Sequence, residues 1–206
     1  MSHLVLSYRL PAEGWTARAD VPLQDAQRAM RVIRSRARDF GVDAATLSVL
    51  GSSAGGHLTA TLATRHAEHV YERHDVADDL SARPFAAALI YPVITLKTPW
   101  THECSRRQLR GESPSELDIE RPSAELHVDG DTPPVFIVHA MDDEAVPVEN
   151  SLHMMDALRA AKRPVEAHFL QEGGHAFGTG YAHTASEHWI DWLNVWLSRV
   201  KATGTT

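Results

Sequence analysis

The chain has 206 residues, 43% of them hydrophobic and 23% charged, a balance that excludes a disordered segment and suits a domain with a sizeable core. Its formal charge of −7 argues against a phosphate-coating nucleic-acid binder, which carries a basic surplus. Cys104 is the single cysteine, so neither an intramolecular disulfide nor a cysteine zinc cluster can form.

A protein without disulfides suits the cytoplasm, and a periplasmic one would look the same. No run of about 18 apolar residues exists, so no membrane partner is expected. Met1 to Leu6 lacks the basic and long apolar regions of a signal peptide.

Leu4–Tyr8 is a short apolar run of strand character. A turn-rich loop with Pro11 and Gly14 follows. Asp20 then stands as a helix cap with Pro22 in the first turn, where a missing N–H costs nothing. Leu23, Ala26, Met30, Ile33, Ala37 and Phe40 fall at spacings of three and four, one helical face, and Gly41 ends it. Thr46–Leu50 reads as a strand, and a small-residue helix runs from about Ala54 to Ala67. Ala86–Tyr91 is a buried strand stopped by Pro92. From Val93 to Pro133 the pattern weakens to an excursion with helical turns near Cys104–Leu109 and Ser115–Glu120, the kind of segment that builds a binding wall or lid. Val135–Val138 is a strand. The helix Pro147–Ala161 places Val148, Leu152, Met155 and Leu158 on one face. Val165–Leu170 is the last strand, and the closing helix carries Trp189, Trp192, Trp196 and Val200 on one face. Strands alternating with helices predict an α/β fold, a mostly parallel sheet with helices on both faces. No repeat or linker interrupts it, so residues 1–206 are expected to form one domain.

Gly51-Ser52-Ser53-Ala54-Gly55 fits G-x-S-x-G, and it follows a strand and opens a helix, as a nucleophile elbow does. The glycines permit a tight turn that lifts Ser53 above the sheet, and the Ala54 N–H then points towards an oxyanion. A serine hydroxyl needs a base, and the base needs an orienting acid. Asp142-Asp143 follows the Val135 strand, and Gly173-Gly174-His175 follows the Val165 strand. The order Ser53, Asp143, His175 is that of the α/β-hydrolases, and all three leave the carboxyl ends of strands. Taken singly, each has a plain structural reading: a glycine-flanked turn, a helix cap, one of 13 histidines. Their combination is what points to a triad.

The chain resembles α/β-hydrolase esterases of the acetyl-esterase and acetylxylan-esterase-like group, related to the prolyl-oligopeptidase-like hydrolases. The stretches that carry the resemblance are Tyr8–Pro11, Val21–Ala29, Gly51–Leu58, Tyr91–Ile94, Thr132–Phe136, His139–Ser151 and Gly173–Gly178. It implies an α/β-hydrolase fold, Ser53 as nucleophile, His175 as base, and Asp143 rather than Asp142 as acid. It also implies short acyl esters as substrates, often acetyl groups on sugars or xylan fragments. Such esterases carry upstream strands and an H-G-G-G-like loop that supplies a second oxyanion donor. Here the chain begins near what corresponds to the fourth strand, so the fold is expected to be shortened at its N-terminus. A shortened gene product, a late start codon and a naturally reduced hydrolase all fit that expectation. The third strand would lie between Leu4–Tyr8 and Thr46–Leu50. These two are expected to pair directly or to leave an open edge, and an open edge invites a homo-oligomer.

His66, Glu68, His69 and His74 are the candidates for a metal, but they lack H-E-x-x-H spacing and read as a polar helix end. The tryptophan stripe reads as core packing rather than sugar stacking. Trp100 and His102 are candidates for a pocket wall, and Arg106, Arg107 and Arg110 read as a solvated face. The sequence thus predicts a serine carboxylesterase that takes a small-molecule ester, such as an acetylated sugar, and needs no cofactor or metal. A prolyl-oligopeptidase-type peptidase, or a weakly catalytic hydrolase remnant with a binding role, are the alternatives.

Overall fold

The computed structural model describes residues 3–112 and 115–204. Four strands, β1 (Val49–Ser52), β2 (Ala87–Ile90), β3 (Val135–Ala140) and β4 (Val165–Leu170), form one parallel sheet in the order β1-β2-β3-β4. Val49 lies opposite Ala87, Ala87 opposite Val135, and Val135 opposite Val165, so the strands start level and point their carboxyl ends to one edge, with β3 and β4 running two residues further. Helix α1 (Val21–Ser35) precedes β1, the connections carry α2 (Ser53–Arg65), α3 (Glu103–Arg110), α4 (Glu116–Glu120) and α5 (Glu149–Ala160), and α6 (Trp189–Thr203) follows β4.

The period of two sorts the strand residues between two cores. Ala88, Ile90, Phe136, Val138 and Ala140 pack with Trp189, Leu193, Trp196, Leu197 and Val200 of α6. Ala87, Leu89, Val135 and Ile137 pack with Ala60 and Ala63 of α2 and with Met154 and Leu158 of α5. Leu23, Ala26 and Met30 of α1 cover Leu58 and Leu62 of α2. This is an α/β-hydrolase sheet, with helices on both faces. No helix among the described residues is long and apolar enough to cross a membrane.

Several boundaries differ from the sequence reading. Leu4–Tyr8 is not a strand: Val5 is 96% exposed, and the stretch pairs with no strand. An apolar run becomes a strand only where its backbone finds a ladder partner. Here Arg9 is tied instead to Asp25 of α1, by its backbone N–H at 2.8 Å and by its guanidinium. Among the described residues β1 therefore has a neighbour on one side only, and Leu50 is exposed there. Thr46 belongs to a 3-10 turn, because the Asp43 carboxylate accepts from the Ala45 N–H and bends the chain before β1 can start. Asp20 stands before α1 but its side chain does not cap it. Its carboxylate faces Arg65 and Arg121, at 3.3 and 3.2 Å. The helix ends at Ser35, not at Gly41, where the chain turns with φ of +62°. Arg106 and Arg110 are not a solvated face, since their side chains are only 20% and 11% exposed. Arg107 alone is open to solvent among the three.

Candidate active site

β1 ends at Ser52 and α2 begins at Ser53, which takes φ of +52°. A side chain in the left-handed region is strained, and it persists only where its surroundings force it. They do so here. A Cβ on Gly51 would overlap the Gly55 carbonyl oxygen, and one on Gly56 would come within 2.7 Å of the Pro92 Cβ. The Val93 N–H donates to the Ser53 carbonyl at 3.2 Å, which fixes the elbow to the loop after β2. Ala54, next in α2, has its N–H in the first helical turn, where no intrahelical acceptor exists.

The loops after β3 and β4 bring the other two residues to the same edge. Ser53 Oγ lies 2.9 Å from His175 Nε2, and His175 Nδ1 lies 2.7 Å from Asp143 Oδ2. A carboxylate only accepts, so His175 Nδ1 carries the proton and Nε2 is free to accept the Ser53 hydroxyl proton. The Asp143 side chain is fully buried and that of His175 is 23% exposed, so the imidazole has access to solvent and the carboxylate has none.

Four donors surround Asp143. Oδ1 accepts from the Ala145 and Val146 N–H groups at 3.0 and 2.9 Å, and Oδ2 accepts from His139 Nε2 at 3.1 Å as well as from His175. Burial pushes the carboxyl up, but hydrogen bonds from His139, the Val146 N–H and His175 outweigh it and hold Asp143 at about 2. Asp142 points elsewhere and accepts from the Gly174 N–H at 2.8 Å. The Tyr91 ring, itself at φ of +37°, stands edge-on to His175 at 5.2 Å and to Phe177 at 4.6 Å. His102 caps α3, with Nδ1 2.8 Å from Ser105 Oγ. Burial, followed by the charge of His175, pushes it below its ordinary value.

Tyr91 and His139 have no part in the sequence reading of the chemistry, and Asp142 enters it only as the less favoured acid. His139 did leave a trace, as a polar side chain inside the otherwise apolar run Val135–Ala140. At the suggested metal cluster, Glu68 is taken up by Arg65 at 2.7 Å.

The profile of the BD-FAE family matches residues 3–158. The chain belongs to the BD-FAE family. Its parallel sheet and its elbow at Ser53 fit the α/β-hydrolase fold. It is 37% identical to the endo-1,4-beta-xylanase B of Butyrivibrio fibrisolvens, over 85% of this chain and 27% of that protein. It is 27% identical to the acetylxylan esterase of Xylanibacter ruminicola, over 98% of this chain and 40% of that protein. The crystal structure of an acetyl ester-xyloside bifunctional hydrolase from Caldicellulosiruptor lactoaceticus superposes with a TM-score of 0.83 and 34% identity, covering 88% of this BD-FAE chain and 66% of the other. The chain therefore spans well under half the length of these two curated relatives.

Proposed function

We propose that the chain is a serine ester hydrolase acting on short-chain acyl esters, with acetyl groups on sugars or xylan fragments as its substrate class. The contact chain Ser53 Oγ to His175 Nε2 at 2.9 Å and His175 Nδ1 to Asp143 Oδ2 at 2.7 Å carries the reading. In it, Ser53 Oγ attacks the ester carbonyl carbon while His175 Nε2 takes the hydroxyl proton. The Ala54 N–H, at the positive end of α2, stabilises the oxyanion. Collapse breaks the bond to the alcohol, which leaves with the proton from His175. Water, deprotonated by the same nitrogen, then releases the acid from Ser53. Asp143 keeps His175 in the tautomer that can accept, and stabilises the imidazolium that forms at each step. The sugar-acetyl preference draws on the names of the relatives, an acetylxylan esterase and an acetyl ester-xyloside hydrolase.

The test is the initial rate of p-nitrophenyl acetate hydrolysis by the chain and by Ser53→Ala, followed by acetate release from acetylated xylo-oligosaccharides. A rate lost by a factor of about 10³ or more on substitution is expected. Equal rates in the two folded proteins would overturn the nucleophile. Turnover of p-nitrophenyl acetate with none of the acetylated sugar would overturn the substrate class alone.

A further inference from the structure

We infer that His139 is a positioning residue for this reaction: it holds the oxygen of Asp143 that His175 also uses, and so sets how tightly the carboxylate grips the His175 imidazolium. The inference rests on the Ser53–His175–Asp143 reading above.

His139 lies near the end of β3 and is wholly buried. Its Nε2 is 3.1 Å from Asp143 Oδ2 and 3.0 Å from the Val146 carbonyl oxygen. Both are acceptors, so Nε2 carries a proton. Its Nδ1 is 2.8 Å from Ser151 Oγ in α5, and a neutral ring accepts the Ser151 hydroxyl proton there. The two ring nitrogens are thus satisfied and the ring cannot turn.

A histidine that merely tied β3 to α5 would need only Ser151 and Val146. This one also donates to Oδ2, 2.7 Å from His175 Nδ1 on the other side, so two imidazoles share one carboxylate oxygen. A donor on a carboxylate oxygen stabilises its charge and lowers its basicity. With the His139 donor gone, Oδ2 turns wholly to His175. The His175 imidazolium is then held more tightly, and the free base that Ser53 needs becomes scarcer at a given pH. The groups facing His175 are Asp143, His102 at the start of α3, the Ser53 hydroxyl and the Tyr91 ring, and none of the other three changes in a His139 variant.

The sign of the shift separates the two roles. Loss of the donor moves the acid limb of kcat/KM to higher pH. Looser packing, which weakens the Asp143–His175 contact, leaves the limb in place or moves it lower. The experiment is the pH profile of p-nitrophenyl acetate hydrolysis for the chain and for His139→Leu, His139→Asn, His139→Gln and Ser53→Ala, with folding checked by circular dichroism. His139→Leu is expected to lower kcat about tenfold and raise the acid limb by about half a pH unit, with KM little changed. His139→Asn, whose short amide stops at the Nδ1 position, is expected to shift the limb likewise and stands in if the leucine variant fails to fold. His139→Gln places an amide donor where Nε2 was and is expected to restore the limb. A limb that stays put or moves lower in both donor-lacking variants, while Ser53→Ala is inactive, overturns the role of His139 alone. Wild-type activity in Ser53→Ala overturns the triad reading beneath it.

Discussion

Asp142 Oδ1 accepts the Gly174 N–H at 2.8 Å while the adjacent Asp143 accepts His175 Nδ1 at 2.7 Å. Two consecutive carboxylates therefore grip two consecutive residues of the histidine loop. The loop needs this hold: Gly173 and Gly174 have φ of +157° and +59°, and Ala176 is at +62°. With His175 as the base of the proposed mechanism, small displacements of its ring cost much, so Asp142→Ala is expected to lower kcat about tenfold with KM nearly unchanged. Asp142→Asn keeps an acceptor oxygen and is expected to retain most of the rate. Equal losses in the two variants would show that the charge of Asp142, not its grip on Gly174, is what counts.

The two glycines of Gly51-Ser52-Ser53-Ala54-Gly55 are not equivalent. A Cβ on Gly51 would overlap the Gly55 carbonyl and the Thr59 hydroxyl, whereas a Cβ on Gly55 meets nothing within 4 Å. Gly51→Ala is therefore expected to destabilise the fold by about 3 kcal/mol or more, as overpacking against backbone does. Gly55→Ala lies in α2 without a neighbour to displace and is expected to be neutral or to stabilise by up to about 1 kcal/mol. Urea denaturation of the two variants decides the matter. A Gly55→Ala protein as unstable as Gly51→Ala would show that the elbow needs both glycines for conformation.

How far these features could be read in advance depended on where the information lies. Ser53 was legible because an apolar strand, a glycine pair and a small-residue helix all sit within a few positions of it. His175 and Asp143 were legible as ends of strands, since the parallel sheet brings those ends to one edge. Asp142 was not, because two adjacent aspartates differ only in where the loop aims them. His139 needs the distant Ser151 to hold its ring, and Tyr91 needs its own left-handed backbone to reach His175. Leu4–Tyr8 has the residues of a strand but lacks a ladder partner. Arg106 and Arg110 have the charge of a solvated face, yet α3 lies with Leu109 buried and guanidinium nitrogens of both arginines are buried with it.

Asn150 shows how the excursion is fixed beside the site. It is wholly buried at the start of α5. Its Oδ1 accepts from the Ile94 and Thr95 N–H groups at 2.8 and 3.1 Å, and its Nδ2 donates to the Trp100 and Pro147 carbonyls at 2.8 and 3.0 Å. One side chain thus joins the segment after β2, the approach to α3 and the loop that carries Asp143. Asn150→Leu strands two N–H groups and the Trp100 carbonyl, and is expected to cost about 3 kcal/mol or more. Asn150→Asp keeps the acceptor but loses the donor, and is expected to fall between. A thermal melt in which Asn150→Leu matches the wild type would show that solvent reaches these groups.

The acid stability of the protein is expected to hinge on a histidine outside the triad. His57 in α2 is buried, and Nε2 donates to the Pro122 carbonyl at 2.8 Å. Burial, partly opposed by that hydrogen bond and reinforced by Arg65 and Arg110, pushes it from 6.5 down to about 4. The unfolded chain binds a proton at His57 below 6.5 while the folded chain does not until about 4, so stability is lost as pH falls through that window. The loss amounts to roughly 3 kcal/mol by the lower limit. Asp143 acts in a different window. Its carboxyl lies below its ordinary 3.8, at about 2, so its contribution is full above 3.8 and fades only as pH falls towards 2. Melting temperatures at pH about 7 and about 4.5 therefore leave Asp143 out, and because burial also pushes His66 and His102 down, the comparison with His57→Gln is what assigns a loss to His57. His57→Gln keeps an amide donor for Pro122 and removes the titration, so its melting temperature is expected to fall much less between the two. Parallel losses in wild type and His57→Gln would assign the acid sensitivity to other groups.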